Sequence, residues 1–191
     1  MAIKDKEKWN KKYKNTPELL DDRPQSYKLA DVIKHTKGLD ALDVACGSGR
    51  NSIFLANNDF KVTAIDISEV ALDTLNKKNN PNVKTKLVDL DTHSFDENKY
   101  DLIIMTNFLD RNIIPKLTKA LKKDGVLFIE TYMFHEENEK PPSNPDFLLK
   151  EGELKTFFDK KEVEILEYDE FFNESFELYK MRKQSIVIRK K

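Results

Sequence analysis

The chain has 191 residues, the length of one domain with a substantial core, and its basic and acidic side chains balance at 33 against 34. A net charge of −1 leaves no electrostatic footprint for nucleic acid or an anionic membrane, and the lysines of residues 4–14 and 180–191 read as solvated faces. One cysteine excludes an internal disulfide, the three histidines lack paired ligand spacing for a metal, and with neither a leader-like start nor a long apolar run the expected location is the cytoplasm.

Residues 1–37 read as an N-terminal helical cover, with Trp9 and Tyr13 one turn apart. The body is expected over 39–191. Residues 41–45 are short, apolar and bounded by Gly38 and Gly47, as a buried parallel strand would be. A short helix over 50–57 follows, then a strand over 61–65 that ends at Asp66. Ser68 caps a helix over 69–79, which Asn79-Asn80-Pro81 stops. Strands over 83–88 and 100–106 come next. Ile113, Ile114, Leu117, Ala120 and Leu121 fall on one helical face, and Pro115 is tolerable in the first turn. Asp124-Gly125 is expected to turn the chain into a fifth strand over 126–131. Strand and helix alternate to this point, which predicts a doubly wound, mostly parallel sheet with helices on both faces.

The pattern then changes. Residues 132–150 contain three prolines and little periodicity, so a long substrate loop is expected there. Leu154, Phe157 and Phe158 mark one more short helix. The runs 163–172 and 181–189 are strands with too few residues between them for a crossover, so they should pair antiparallel and complete seven strands.

The strongest local signal is Asp43-Val44-Ala45-Cys46-Gly47-Ser48-Gly49-Arg50-Asn51, which places two of the protein's five glycines between a strand and a helix. Glycines there let backbone approach a ligand closely. Alone they would equally suit a tight turn. Asp66 ends the second strand, where a carboxylate can accept hydrogen bonds from ribose hydroxyls. Asp43 precedes the glycines; it would repel a pyrophosphate and welcome an ammonium group, and Ser52 stands where a dinucleotide fingerprint has its third glycine. A nicotinamide oxidoreductase is therefore disfavoured. Asp89, past the third strand, is a third carboxylate at a strand end, though it would also serve as a loop cap for Thr92.

The stretches ALDVACGSGRNSIFLA, VTAIDIS, LVDLD and YDLIIMTNFLDR resemble the successive motifs of class I, Rossmann-fold, S-adenosylmethionine-dependent methyltransferases. GRN after the glycines, WNKKY near the start and NPDFLLKEGEL later are similar to the tellurite-resistance-type branch. The resemblance runs from about Trp9 to the end of the chain. It implies S-adenosylmethionine as cofactor, with Asp43, Gly47 and Gly49 lining the methionine and ribose portion. Asp66 would bind the ribose, Asp89 and Leu90 the adenine, and Asn107 would lie near the methionine tail and reacting methyl. Ala45, Asn51 and Ile67 complete the implied cofactor set. Ala45 replaces the first glycine of the family pattern, and alanine is small enough that tolerance is expected there.

Methyl transfer is an in-line displacement that asks the protein for positioning, dehydration and, for a protonated acceptor, a base. Acceptor-side candidates are Tyr13, Asn107, Asp110, Arg111, Glu130, Tyr132 and His135. Each has a plainer reading: packing for Tyr13, helix capping for Asp110, a surface ion pair for Arg111, a solvated loop position for His135. His93 is read as a surface residue. The fold consumes most of the chain, leaving 1–37 and 132–150 to build a substrate cover, so a small-molecule or small-oxyanion acceptor is expected rather than nucleic acid. The alternatives are a non-catalytic S-adenosylmethionine-binding sensor or partner subunit and a nucleic-acid methyltransferase. Sequence carries no signal for oligomeric state.

Overall fold

The computed structural model describes residues 2–173, 177 and 179–191. Seven strands, β1 (Asp40–Val44), β2 (Lys61–Asp66), β3 (Val83–Leu87), β4 (Tyr100–Thr106), β5 (Leu121–Tyr132), β6 (Val163–Phe172) and β7 (Arg182–Lys190), form one sheet in the order β3-β2-β1-β4-β5-β7-β6. The first five are parallel, and β7 runs antiparallel to both β5 and β6. The doubly wound sheet and its terminal antiparallel pair are those anticipated from the alternation of apolar runs.

Both faces are covered, and the strands show why. Along β4, Ile103 and Met105 join one apolar cluster while Leu102 and Ile104 join the other; Leu127 and Ile129 against Val126 and Phe128 repeat this on β5. Period two sends successive side chains to opposite faces, so strands buried on both sides read as unbroken apolar runs. Helices α2 (Leu29–Val32), α3 (Arg50–Asn57) and α4 (Glu69–Lys77) supply Leu29, Leu55 and Leu75 to one face, and α5 (Ile114–Ala120) supplies Ile114 and Leu117 to the other. The N-terminal helix α1 (Ala2–Asn15) lies against α4, where Lys6 pairs with Glu69 at 2.5 Å and Asn10 Oδ1 accepts from Ser68 Oγ at 2.7 Å.

Several boundaries differ from the sequence expectation. β1 ends at Val44, because Ala45 turns to φ 54°. α4 stops at Lys77, two residues early, ahead of Asn79 at φ 48°. β5 starts at Leu121 rather than after Asp124-Gly125: Leu121 pairs with Tyr100, Val126 with Leu102, and the expected turn is absorbed as an irregularity between them with Asp124 at φ 64°. The helix expected around Leu154 is a 3-10 turn over Glu153–Phe157. Ser68 caps α4 as expected, accepting from Ala71 N–H at 3.3 Å.

Candidate functional site

From β1 the chain steps outward through β2 to β3, then returns to place β4 on β1's other side. That reversal opens a crevice at the strands' carboxyl ends, where ligands bind in open α/β sheets. Asp43, Asp66, Asp89 and Asn107 all lie along this edge, at or just past the ends of β1 to β4. The two loop glycines do different work. A Cβ on Gly49, at φ 77°, would stand 2.4 Å from the Leu75 side chain, so this glycine allows α3 to start tight against α4. A Cβ on Gly47, at φ 56°, would meet only the Tyr13 hydroxyl at 3.5 Å, so its backbone faces the crevice.

Asp43 is the most unusual group here. Its side chain is 1% exposed; Oδ2 accepts from Ser52 Oγ at 2.6 Å, and Oδ1 is buried with no partner among the described residues. Burial pushes its pKa up to about 7, with Asp66 adding to the rise while Ser52 and Arg50 oppose it. Asp66 is also buried, and burial raises its pKa too; its carboxylate organises the loop by accepting from Gly47 N–H and Ser68 N–H, each at 2.8 Å. Each carboxylate oxygen can accept twice, so these bonds leave capacity for ligand hydroxyls. Asp89 is half-buried; it accepts from Asp91 N–H at 3.1 Å and from Thr92 Oγ1 at 3.4 Å, the loop-capping role weighed for it above. Leu90 packs against the core beside it, and Ile67 is half-buried between Asp66 and Ser68.

The remaining candidates divide. Asn107 is exposed at the end of β4, held at φ 55° with its N–H on the Glu130 carbonyl at 2.8 Å. Tyr13 stands over the glycine loop, 5.7 Å from Trp9 between ring centroids. Burial first, then the Asp66 and Cys46 charges, push its phenol well above the ordinary value, so near neutral pH it is a hydrogen-bond donor and no base. Asn51 is a pin: its Oδ1 accepts from Ser26 N–H at 3.0 Å and its Nδ2 donates to Thr106 Oγ1 at 2.8 Å. Asp110 accepts from Asn112 N–H at 2.9 Å in the turn before α5; it does not cap that helix, whose first flanking residue is Ile113 with no side-chain cap bond. Arg111 makes a two-pronged pair with Glu153 at 2.7 and 3.1 Å and donates to the Asp146 and Leu148 carbonyls at 2.5 and 3.0 Å. With four contacts on its five donors it ties α5's approach to the 146–153 stretch, and the expected acceptor-side role has no free donor fork behind it. His135 packs edge-on against Phe172 at 5.3 Å, and His93 likewise against Phe95 at 4.8 Å.

Glu130 and Tyr132, at the end of β5, belong to a buried polar cluster whose other members sequence reasoning missed. Glu130 accepts from Ser26 Oγ at 2.7 Å and pairs with Lys183 at 3.2 Å; Lys183 also contacts Glu177 at 3.3 Å and lies 5.3 Å over the Tyr132 ring. The signal for Lys183 was available, since it shares strand phase with Val187, a core residue. Among the described residues no group of three His, Cys, Asp or Glu side chains could hold a metal, and no helix is long and apolar enough to cross a membrane. A shallow cavity of about 460 Å³ lies at the opposite edge, by Asp40, Lys61 and Lys84 at the strands' amino ends, away from the carboxylates. The crevice with the chemistry is instead overlain by Tyr13 of α1.

A family model described as tellurite resistance protein TehB matches residues 1–190. The chain belongs to the TehB family. A Haemophilus influenzae relative, named a probable S-adenosyl-L-methionine-dependent methyltransferase TehB, is 32% identical over 155 residues, covering 76% of this chain and 53% of the relative. The crystal structure of TehB from Haemophilus influenzae superposes with a TM-score of 0.69 at 30% identity, over 85% of this chain and 62% of that one. The cyclase SpnF superposes with a TM-score of 0.72 at 16% identity, over 97% and 96%. This chain therefore spans about half the length of the curated TehB relative it matches, 53% of it. It also shares its fold with an enzyme named for different chemistry, so function rests on the site.

The site's atoms fit the cofactor named for that TehB relative. A rim rich in acceptors suits hydroxyls, and the orphaned Asp43 Oδ1 suits an ammonium rather than a phosphate.

Proposed function

We propose that this TehB-family chain is an S-adenosylmethionine-dependent methyltransferase acting on a small-molecule or small-oxyanion acceptor. The observation that carries the reading is the buried Asp43 Oδ1, without a partner among the described residues, at the head of a row of carboxylates along the carboxyl ends of β1, β2 and β3. Asp43 receives the ammonium of the methionine tail, the Gly47 backbone lies against the tail, Asp66 binds the ribose hydroxyls, and Asp89 with the Leu90 N–H reads the adenine edge. When bound, the cofactor supplies an activated methyl, and the protein's own work is positioning and exclusion of water. Asn107, exposed at the end of β4, orients the reacting end, and Tyr13 closes the crevice from above as a donor. Residues 1–37 and 132–150 form the acceptor cover, and the cytoplasm is the compartment that suits the single thiol.

Calorimetric titration of S-adenosylhomocysteine tests the site. Asp66→Ala should weaken binding by about tenfold or more, since charge-assisted hydrogen bonds to two hydroxyls are lost. Unfolding by urea measures the accompanying loss of loop stability, about 1–3 kcal/mol from two stranded backbone donors. Equal affinity in the two proteins would remove Asp66 from the site.

A further inference from the structure

The way to the crevice passes under α1. Asp66 is 8% exposed, and the Tyr13 hydroxyl stands 3.5 Å from where a Cβ on Gly47 would lie. A nucleoside whose hydroxyls reach Asp66 and which lies along the Gly47 backbone needs α1 to lift before it enters. From residue 5 to the helix end at Asn15 no side chain is buried; Lys6, Trp9, Asn10 and Tyr13 are half-buried and the others exposed. Those four recur at helical spacing, so they form the one face that meets the body. Over these side chains the face has no fully buried apolar anchor, and a helix of 14 residues is marginal in water without one.

Polar contacts fasten α1 to the first turn of α4. The Lys6 pair with Glu69 is largely in solvent, where such a pair holds little. Asn10 is better placed: its Oδ1 accepts from Ser68 Oγ at 2.7 Å and from Val70 N–H at 3.4 Å. Ser68 in turn accepts from Ala71 N–H, and its own N–H donates to Asp66 Oδ1 at 2.8 Å. Asp66 Oδ2 takes the Gly47 N–H. One side chain of α1 thus joins the donors at the start of α4 and, through Ser68, the carboxylate that shapes the glycine loop.

We propose that Asn10 is the latch of a lid: α1 swings off α4 to admit and release the nucleoside, and Asn10 closing on Ser68 returns Tyr13 to its place over Gly47. This rests on the cofactor site proposed above. Asn10 holds Ser68 and not the ligand, so it is a positioning residue acting through α1. A latch that closes equally over an empty and a filled crevice governs both rates of exchange and leaves equilibrium affinity alone.

Trp9, the chain's one tryptophan, lies beside the latch and reports on it. Stopped-flow mixing follows its emission with S-adenosylhomocysteine and with 5′-methylthioadenosine, which lacks the amino-acid tail, in the wild type, Asn10→Ala and Asn10→Asp. With both hydrogen bonds of Oδ1 lost, Asn10→Ala should raise association and dissociation rates of both ligands by about five- to tenfold, with Kd unchanged within about twofold. Asn10→Asp, which keeps an acceptor for both donors beside a helix N-terminus, should return the rates toward wild type. In ligand-free Asn10→Ala, acrylamide should quench Trp9 more strongly than in the wild type. Unchanged rates with stability lost would make Asn10 a capping residue and overturn the proposal. Faster dissociation alone, with Kd weakened to match, would also overturn it. Failure of the cofactor site reads differently: the wild type then binds neither ligand, or Asp66→Ala changes neither. The quenching comparison still decides the latch in that case, and equal quenching overturns it.

Discussion

Two fully buried carboxylates stand at the carboxyl ends of sheet strands, Asp43 on β1 and Glu130 on β5, at 1% and 0% exposure. Glu130 has a partner for each oxygen, Ser26 Oγ on one and the Lys183 ammonium on the other. Asp43 accepts from Ser52 on one oxygen, and among the described residues its other oxygen has no hydrogen-bond partner. A buried charge without compensation is costly, so folding alone favours the arrangement at Glu130 and disfavours that at Asp43. The difference separates a carboxylate that fastens the N-terminal segment to the sheet from one kept for a ligand.

The largest expected effect comes from breaking the compensated member. Glu130→Ala would take from the buried Lys183 one of its carboxylate partners, leaving Glu177, and would release Ser26, destabilising the protein by about 3–5 kcal/mol in urea unfolding at neutral pH. Asp43 should respond in the opposite direction. Its folded-state pKa of about 7 exceeds the ordinary carboxylate value of about 4, so the native state keeps a proton that the unfolded chain releases. Stability from this group is therefore full below about pH 4 and lost as pH climbs to about 7. Asp43→Asn should remove that slope, making the ligand-free protein at pH 8 more stable than wild type by as much as about 4 kcal/mol, while ligand affinity falls. A variant less stable than wild type at pH 8 would show that the Asp43 charge is satisfied after all. The smallest effect belongs to a third, half-buried pair. Arg111→Lys loses the fork on Glu153 and should cost about 1 kcal/mol of stability with S-adenosylhomocysteine affinity unchanged; a fall in affinity would return Arg111 to the site.

The sheet was legible because its strands are apolar on both faces and its helices carry their stops and caps in sequence, as at Ser68. The irregularity in β5 was not, because Asp124-Gly125 has the composition of a turn whether the strand begins after it or bends through it. At the site, residue type and strand position found Asp43 and Asp66. They could not distinguish Gly47, which faces the crevice, from Gly49, which is required by Leu75 on a distant helix. Nor could they see that Asn51 and Arg111 spend their donors on Thr106, Glu153 and nearby carbonyls. Those partners lie tens of residues away, and only the fold brings them together.

Proton release on binding tests the role of Asp43 most directly. S-adenosylhomocysteine is titrated at pH 6 in buffers of different ionisation enthalpy, so that the dependence of heat on buffer counts protons. An ammonium arriving at Asp43 should drive off the proton held there, giving release of about one proton in the wild type and none in Asp43→Asn or with 5′-methylthioadenosine. The same count in wild type and Asp43→Asn would contradict the account.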